Sequence, residues 1–322
     1  MRVGIRCDAG GLRGVGHLVR CVALAEELAA RGAAVTFFGE VDLPWAAGQL
    51  TARGLPLRPP GELAGDAVVL DSYTLDPAVG AGLRAAGVRT CAIVDGDLRG
   101  QVADLYVDQN LDAELLAPAL PPGATRLAGL RYALLRTAVR ERRPAAPRAA
   151  RPGPPRVVCF FGGTDAYRAA PVLARLLAAT GAPCDATIVA ADASLRAELA
   201  AVPPAPGQAF TVVDPTDELP ALLAAADLAV SASGTSTWEL LCLGVPAALV
   251  WVVDNQELGY DRTVAAGLAA GLGRLGALEP SAVATLRALL TDPAARAALA
   301  AKAFGAVDGR GVERVADALL QG

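Results

Sequence analysis

Histidine, lysine and methionine each occur only once in these 322 residues, as His17, Lys302 and Met1, and aromatic side chains make up just 4%. So few aromatics mean that any core must be aliphatic, built from Ala, Leu and Val. With one histidine, and six cysteines (Cys7, Cys21, Cys91, Cys159, Cys184, Cys242) that form no C-x-x-C pair, the chain cannot supply a Cys/His zinc set. Positive charge is not in excess: the formal net charge is −4 and the pI about 5.2, which argues against a nucleic-acid-binding surface. Long apolar runs are missing too. The run 240–253 is interrupted by Gly244 and Pro246 and is too short for a membrane span. Arg2, Arg6 and Asp8 follow Met1 where a secretory signal would be apolar. The expectation is a soluble, cytoplasmic protein with reduced thiols, no membrane span and no nucleic-acid partner.

Hydrophobic residues form 53% of the chain, and its length exceeds what one core usually serves, so two domains are expected. Short apolar runs at 2–7, 34–38, 67–71, 89–95 and 104–107 read as strands. Leu18, Cys21, Val22, Leu24, Ala25 and Leu28 recur at helical spacing over 17–31, and Gly32 follows as a stop. Further helices are read at 77–86 and 130–142. The stretch 143–155 then holds five prolines, one glycine, four alanines and three arginines, which reads as an interdomain connection. Its arginines are read as a solvated face, with contact to an anionic ligand as the alternative. Alternation resumes with strands at 156–161, 185–190, 210–213, 227–231 and 247–252 and helices at 166–179, 217–226, 235–243 and 255–266. The division expected is an N-terminal domain over 1–142, a linker over 143–155 and a C-terminal domain over 156–322, although the helical stretch 311–320 is of a kind that crosses back to the first domain. Strands alternating with helices imply an α/β protein of two Rossmann-like domains with parallel sheets facing across a cleft.

Three glycine-rich or hydroxyl-rich turns lie at strand ends, where open α/β sheets bind ligands. The first runs from Cys7-Asp8-Ala9-Gly10-Gly11 through Gly14-Val15-Gly16 to His17. Its glycine spacing is not G-x-G-x-x-G, so a nicotinamide cofactor is not expected. The imidazole normally titrates between about pH 5 and 8, which suits a general base; a helix-capping or hydrogen-bonding histidine is the alternative. The second turn is Gly162-Gly163-Thr164-Asp165, a phosphate cradle or a plain strand-to-helix turn. The third is Ser231-Ala232-Ser233-Gly234-Thr235, whose hydroxyls and N–H groups suit a diphosphate, with Glu239 one helical turn on and placed for a ribose diol.

These motifs, with Leu-Gly-Val-Pro at 243–246 and Asp-Asn-Gln at 254–256, resemble the PseG/SpsG group. That group comprises the UDP-releasing hydrolases of pseudaminic acid biosynthesis and spore-coat polysaccharide proteins, and is similar in turn to the GT-B enzyme that adds N-acetylglucosamine to lipid I. The runs Asp71-Ser72-Tyr73, Asp95-Gly96-Asp97, Gln109-Asn110 and Tyr132-Ala133-Leu134-Leu135-Arg136 extend the resemblance along almost the whole chain.

The resemblance implies a GT-B enzyme that takes a UDP-sugar as substrate and needs neither metal nor cofactor. His17 would activate a water, Asn255 and Gln256 would hold the sugar or that water, and Asp8 and Tyr73 would face the sugar. Glu239 would bind the uridine ribose, while Gly16, Gly163, Thr164, Ser233, Gly234 and Thr235 would line the nucleotide. The reaction implied is hydrolysis of a deoxyamino-sugar nucleotide with inversion; transfer to a small hydroxyl or amine acceptor is the alternative. A retaining route would ask for a carboxylate nucleophile, for which Asp8 and Asp95 are candidates. Cys7-Asp8-Ala9-Gly10 stands where the pseudaminic branch has a serine-rich loop, and the 235–243 segment is closer to spore-coat members, which leaves the sugar and acceptor open.

Overall fold

The computed structural model describes residues 1–10, 15–149, 151 and 153–321, so the glycines at 11 and 14 of the first turn lie outside the described residues. The chain divides into two compact units, Met1–Thr137 with Gly309–Gly322, and Ala138–Asp308.

Unit 1 contains β1 (Arg2–Cys7), α1 (Gly16–Ala30), β2 (Ala34–Phe38), α2 (Pro44–Thr51), β3 (Leu57–Arg58), β4 (Ala67–Asp71), α3 (Pro77–Ala85), β5 (Arg89–Ile93), β6 (Leu105–Asp108) and β7 (Thr125–Ala128). All are parallel in the order β3-β2-β1-β4-β5-β6-β7. The order reverses between β1 and β4, whose registers pair Cys7 with Asp71. Such a reversal is the place where open α/β sheets form a ligand crevice, since the connections on its two sides go to opposite faces. Leu18, Leu24 and Leu28 of α1 are fully buried against Val3, Ile5 and Cys7 of β1. Gly32, at φ +85°, ends that helix: its N–H and that of Ala33 bond back to the carbonyls of Ala29 and Leu28.

After the short α4 (Thr137–Arg140), unit 2 repeats the plan. It runs through β8 (Arg156–Phe160), α5 (Ala169–Ala179), β9 (Cys184–Val189), α6 (Ala193–Ala200), β10 (Gln208–Val213), α7 (Leu219–Ala225), β11 (Leu228–Ala232), α8 (Ser236–Leu243), β12 (Ala247–Trp251), α9 (Glu257–Ala265), β13 (Ala270–Arg274), β14 (Ala277–Leu278), α10 (Ala282–Thr291) and α11 (Pro293–Ala306). The sheet order is β10-β9-β8-β11-β12-β13-β14, with the switch now between β8 and β11 and an antiparallel β13–β14 edge.

Three sequence expectations are corrected. Residues 130–142 are not one helix: a 3-10 turn at Leu130–Tyr132 is followed by extended backbone and then by α4. The Gln109 side chain takes the Leu134 N–H and Glu26 takes the Thr137 N–H, so these amides leave the helical ladder. The second unit begins at Ala138, before the expected linker, and Arg143 is bound into it. Arg143 donates to the carbonyls of Cys242 and Phe304 and stacks 3.8 Å over the Phe304 ring. Nor does the C-terminal domain extend to 322. α12 (Gly311–Leu320) has Val312, Val315, Ala316 and Leu319 on one face, and they complete the core of unit 1. No helix among the described residues is long and apolar enough to cross a membrane.

Candidate active site

In unit 1, charged residues converge on the carboxyl ends of β4, β5 and β6. Asp71, the last residue of β4, is fully buried, and its Oδ1 lies 2.6 Å from His17 Nδ1. Arg20, one turn further along α1, donates from Nε to Asp71 Oδ2 and from Nη2 to Oδ1, both at 2.7 Å. The same guanidinium reaches Asp95 with Nη1 at 2.9 Å. Tyr73 Oη donates to Asp95 at 2.6 Å, and Asn110 Nδ2 bridges Asp95 and Asp108. Arg126 and the Gly96 N–H close the network on Asp108. A helix puts positions 17 and 20 on one face, which is why one acidic strand end meets both side chains.

Burial alone would push the Asp71 carboxyl up, but the charges of Arg20 and then His17 override it and hold it down at about 2. Asp95 is treated the same way: burial is outweighed by Arg20 and by the hydrogen bonds of Tyr73 and Asn110, so it stays well below the usual carboxylate range. Burial, with the nearby Asp95 charge, raises the Tyr73 phenol, keeping it a donor. An ionised Asp71 can only accept, so a hydrogen bond to it places a ring proton on His17 Nδ1, with Arg20 Nη2 also 3.2 Å from that nitrogen; in the neutral ring so bonded, Nε2 carries the lone pair. Nε2 has no hydrogen-bond partner among the described residues. The hydrogen-bonded cluster sets two guanidiniums, Arg20 and Arg126, against three carboxylates. One negative charge is left over within this cluster.

His17 is not a helix cap, since Val15 holds that position and makes no side-chain cap bond. Gly16 is the first residue of α1, directly before the imidazole. The ring of Tyr73 meets His17 edge-on at 4.4 Å and carries the Arg99 guanidinium 3.9 Å above it. Asp8 belongs to a different set of contacts, accepting from Arg6 at 2.5 Å and from the Glu40 N–H at 2.9 Å. As a nucleophile Asp95 is poorly suited, because each of its oxygens already accepts two hydrogen bonds.

In unit 2 the candidate loops flank the β8/β11 switch. At the first, Gly162 has φ +78° and Gly163 is exposed, but the N-terminus of α5 is already occupied: the Asp165 carboxylate accepts from the N–H groups of Ala169 and Ala170. Burial nevertheless pushes Asp165 up to about 6, with those two N–H bonds opposing it. The second loop is more open. Ser233 and Gly234 N–H groups bond back to Val250 and Ala232, and Thr237 and Trp238 N–H groups to Gly234 and Thr235. The N–H groups of Thr235 and Ser236 make no backbone hydrogen bond among the described residues, so α8 offers free donors for an anion. Gln256 accepts the Val252 N–H through Oε1, and its Nε2 lies 3.8 Å from where a β-carbon on Gly234 would sit. Glu239 is buried in the first turn of α8, and Asn255 is exposed in the 3-10 turn after β12.

Asp71, Arg20 and Asn110 were not singled out as site residues in the sequence. Their available signals were the resemblance runs that contain Asp71 and Asn110, and position, each lying at a strand end or one helical turn from the lone histidine.

Parallel sheets in this order, with switch-point loops bearing the polar residues, define a GT-B α/β protein. The whole chain superposes on MurG of Acinetobacter baumannii with a TM-score of 0.72 at 17% identity, covering 100% of this chain and 99% of that one. It also superposes on the UDP-GlcNAc 2-epimerase from Neisseria meningitidis, solved bound to UDP-GlcNAc, with a TM-score of 0.67 at 12% identity and full coverage of both chains. No family model matches the chain. Over 114 residues the chain is 30% identical to the spore coat polysaccharide biosynthesis protein SpsG of Bacillus subtilis (strain 168). That match spans 35% of this chain and only a third (33%) of the relative's length.

Proposed function

We propose that this protein is an inverting, metal-independent hydrolase that cleaves the anomeric C–O bond of a UDP-sugar of the deoxyamino type. The observation that carries the reading is the His17–Asp71 pair, with Nδ1 held by a buried carboxylate and Nε2 left with its lone pair. In this reading a water oxygen attacks the anomeric carbon and loses its proton to Nε2, while the bond to the β-phosphate oxygen breaks and UDP departs with the bonding electrons. A general base so placed typically contributes 10²–10⁴-fold. The imidazolium formed is stabilised by Asp71 and by the surplus negative charge of the cluster. The charge on the leaving diphosphate is met by the Thr235 and Ser236 N–H groups at the start of α8, with Ser233, Gly234 and the Gly163–Thr164 turn contributing. Glu239 takes the ribose, Gln256 and Asn255 the sugar side, and Tyr73 the sugar near the base.

Incubating the purified protein with a panel of UDP-sugars, with and without alcohol or amine acceptors, tests this. UDP release without acceptor, giving product of inverted anomeric configuration by proton NMR, is expected. Release that requires an acceptor would replace hydrolysis by glycosyl transfer from the same site.

A further inference from the structure

An arginine-lined pocket lies at the other end of the unit 2 sheet from the nucleotide loops. Arg148 and Arg151 from the proline-rich strap, Arg156 at the start of β8 and Arg296 of α11 line a cavity of about 50 Å³, beside Gly244 and Asp227. At roughly 10–15 Å³ per water this is room for about three to five waters, the size of one small oxyanion. Four arginines and one carboxylate line it, and Asp227 is already engaged: its Oδ2 accepts the Arg156 N–H at 2.9 Å and pairs with Arg156 Nε at 3.8 Å. Arg296 is 4% exposed and spends Nη1 on the carbonyls of Leu289 and Leu290. Arg148 is half-buried with no hydrogen-bond partner among the described residues; burial lowers its affinity for its proton and the Asp227 charge only partly restores it. A half-buried guanidinium without an acceptor is costly unless an anion supplies one.

We propose that this pocket binds a phosphate-type oxyanion, inorganic phosphate or a terminal phosphate monoester, held in the forks of Arg148 and Arg151 with Arg156 and Arg296 behind them. It is distinct from the nucleotide loops. Asp227 precedes β11 and Ser233 follows it, and six residue steps at about 3.3 Å each separate the two by roughly 20 Å. The Gly244-Val245-Pro246 turn that borders the pocket ends α8, whose opposite end carries the proposed diphosphate donors.

Titrating the full chain with inorganic phosphate in chloride buffer, followed by calorimetry, tests the assignment. Saturable binding is expected for the wild type. Arg148→Ala/Arg151→Ala should weaken it at least tenfold, and Arg151→Glu alone should do the same, while UDP affinity stays within about twofold. Neither residue is in a packed core, so both variants are expected to keep the wild-type unfolding temperature. No saturable phosphate binding up to about 10 mM would overturn the proposal. So would equal binding to wild type and variants, equal displacement by chloride, or a parallel loss of UDP affinity, which would fold the pocket into the nucleotide site.

Discussion

Replacing Asp71 by Asn tests the base assignment most directly, because the side chain keeps its shape while it loses its charge and exchanges one acceptor oxygen for a donor NH₂. Four donors address the two Asp71 oxygens: His17 and Arg20 Nη2 at Oδ1, and Arg20 Nε and Cys21 Sγ at Oδ2. An amide can face only one of these pairs with its oxygen. If the oxygen faces Arg20 Nε, the NH₂ group confronts His17 and forces the ring proton to Nε2, which removes the base. If it faces His17, the NH₂ group confronts Arg20 Nε and Cys21 Sγ. Either way catalysis falls, by about 10²–10⁴ in kcat, the range for a positioned base. Stability falls as well. Holding the Asp71 carboxyl at about 2 against an unfolded value near 3.9 corresponds to about 2–3 kcal/mol, and breaking a buried pair typically costs about 3–5 kcal/mol. UDP release from the saturating sugar nucleotide gives kcat, and urea unfolding gives the stability loss. A folded Asp71→Asn protein with kcat within threefold of the wild type would refute the role given to this pair.

Acid should destabilise unit 1 in a defined window. Asp71 and Asp95 both have depressed folded values, so their stabilisation is complete above about pH 4 and lost as the pH falls toward 2; circular dichroism against pH checks this. Asp165 has the opposite sign: raised to about 6, it favours the folded state when protonated and loses that contribution as the pH rises from about 4 to 6. Asp165→Asn should therefore flatten the decline in unfolding temperature over that range. Glu239→Gln should weaken UDP binding about tenfold by calorimetry, a loss of roughly 1.4 kcal/mol, the scale of one hydrogen bond to a charged group. A β-carbon on Gly311 would lie 2.2 Å from the Ala133 carbonyl oxygen, so Gly311→Ala should cost about 1–3 kcal/mol in urea unfolding by pushing α12 off the core of unit 1.

How far the primary structure alone reaches differs between elements. β1, β2 and β4 fall where their apolar runs place them, and α1 within a residue of its pattern, because burial on a parallel sheet writes itself into local composition. The two-residue β3 and the edge strand β14 carry too few side chains to register, and α10 and α11 follow the last motif read. Of the residues expected at a site, His17 and the Ser233–Thr235 loop were read from their type and place at strand ends, whereas Tyr73 and Gln256 came only from the family resemblance.

Local sequence therefore determined the alternating elements, the two-unit α/β plan and the loops that bear polar chemistry, since each depends on neighbours within a turn or a strand. Only the tertiary structure decided that Asp71, fifty-four positions away, holds the histidine. It alone gave α12 to the first unit and closed the α5 N-terminus with Asp165. Those outcomes depend on strand order and on which buried donor finds which acceptor, and both are set by packing across the sheet rather than along the chain.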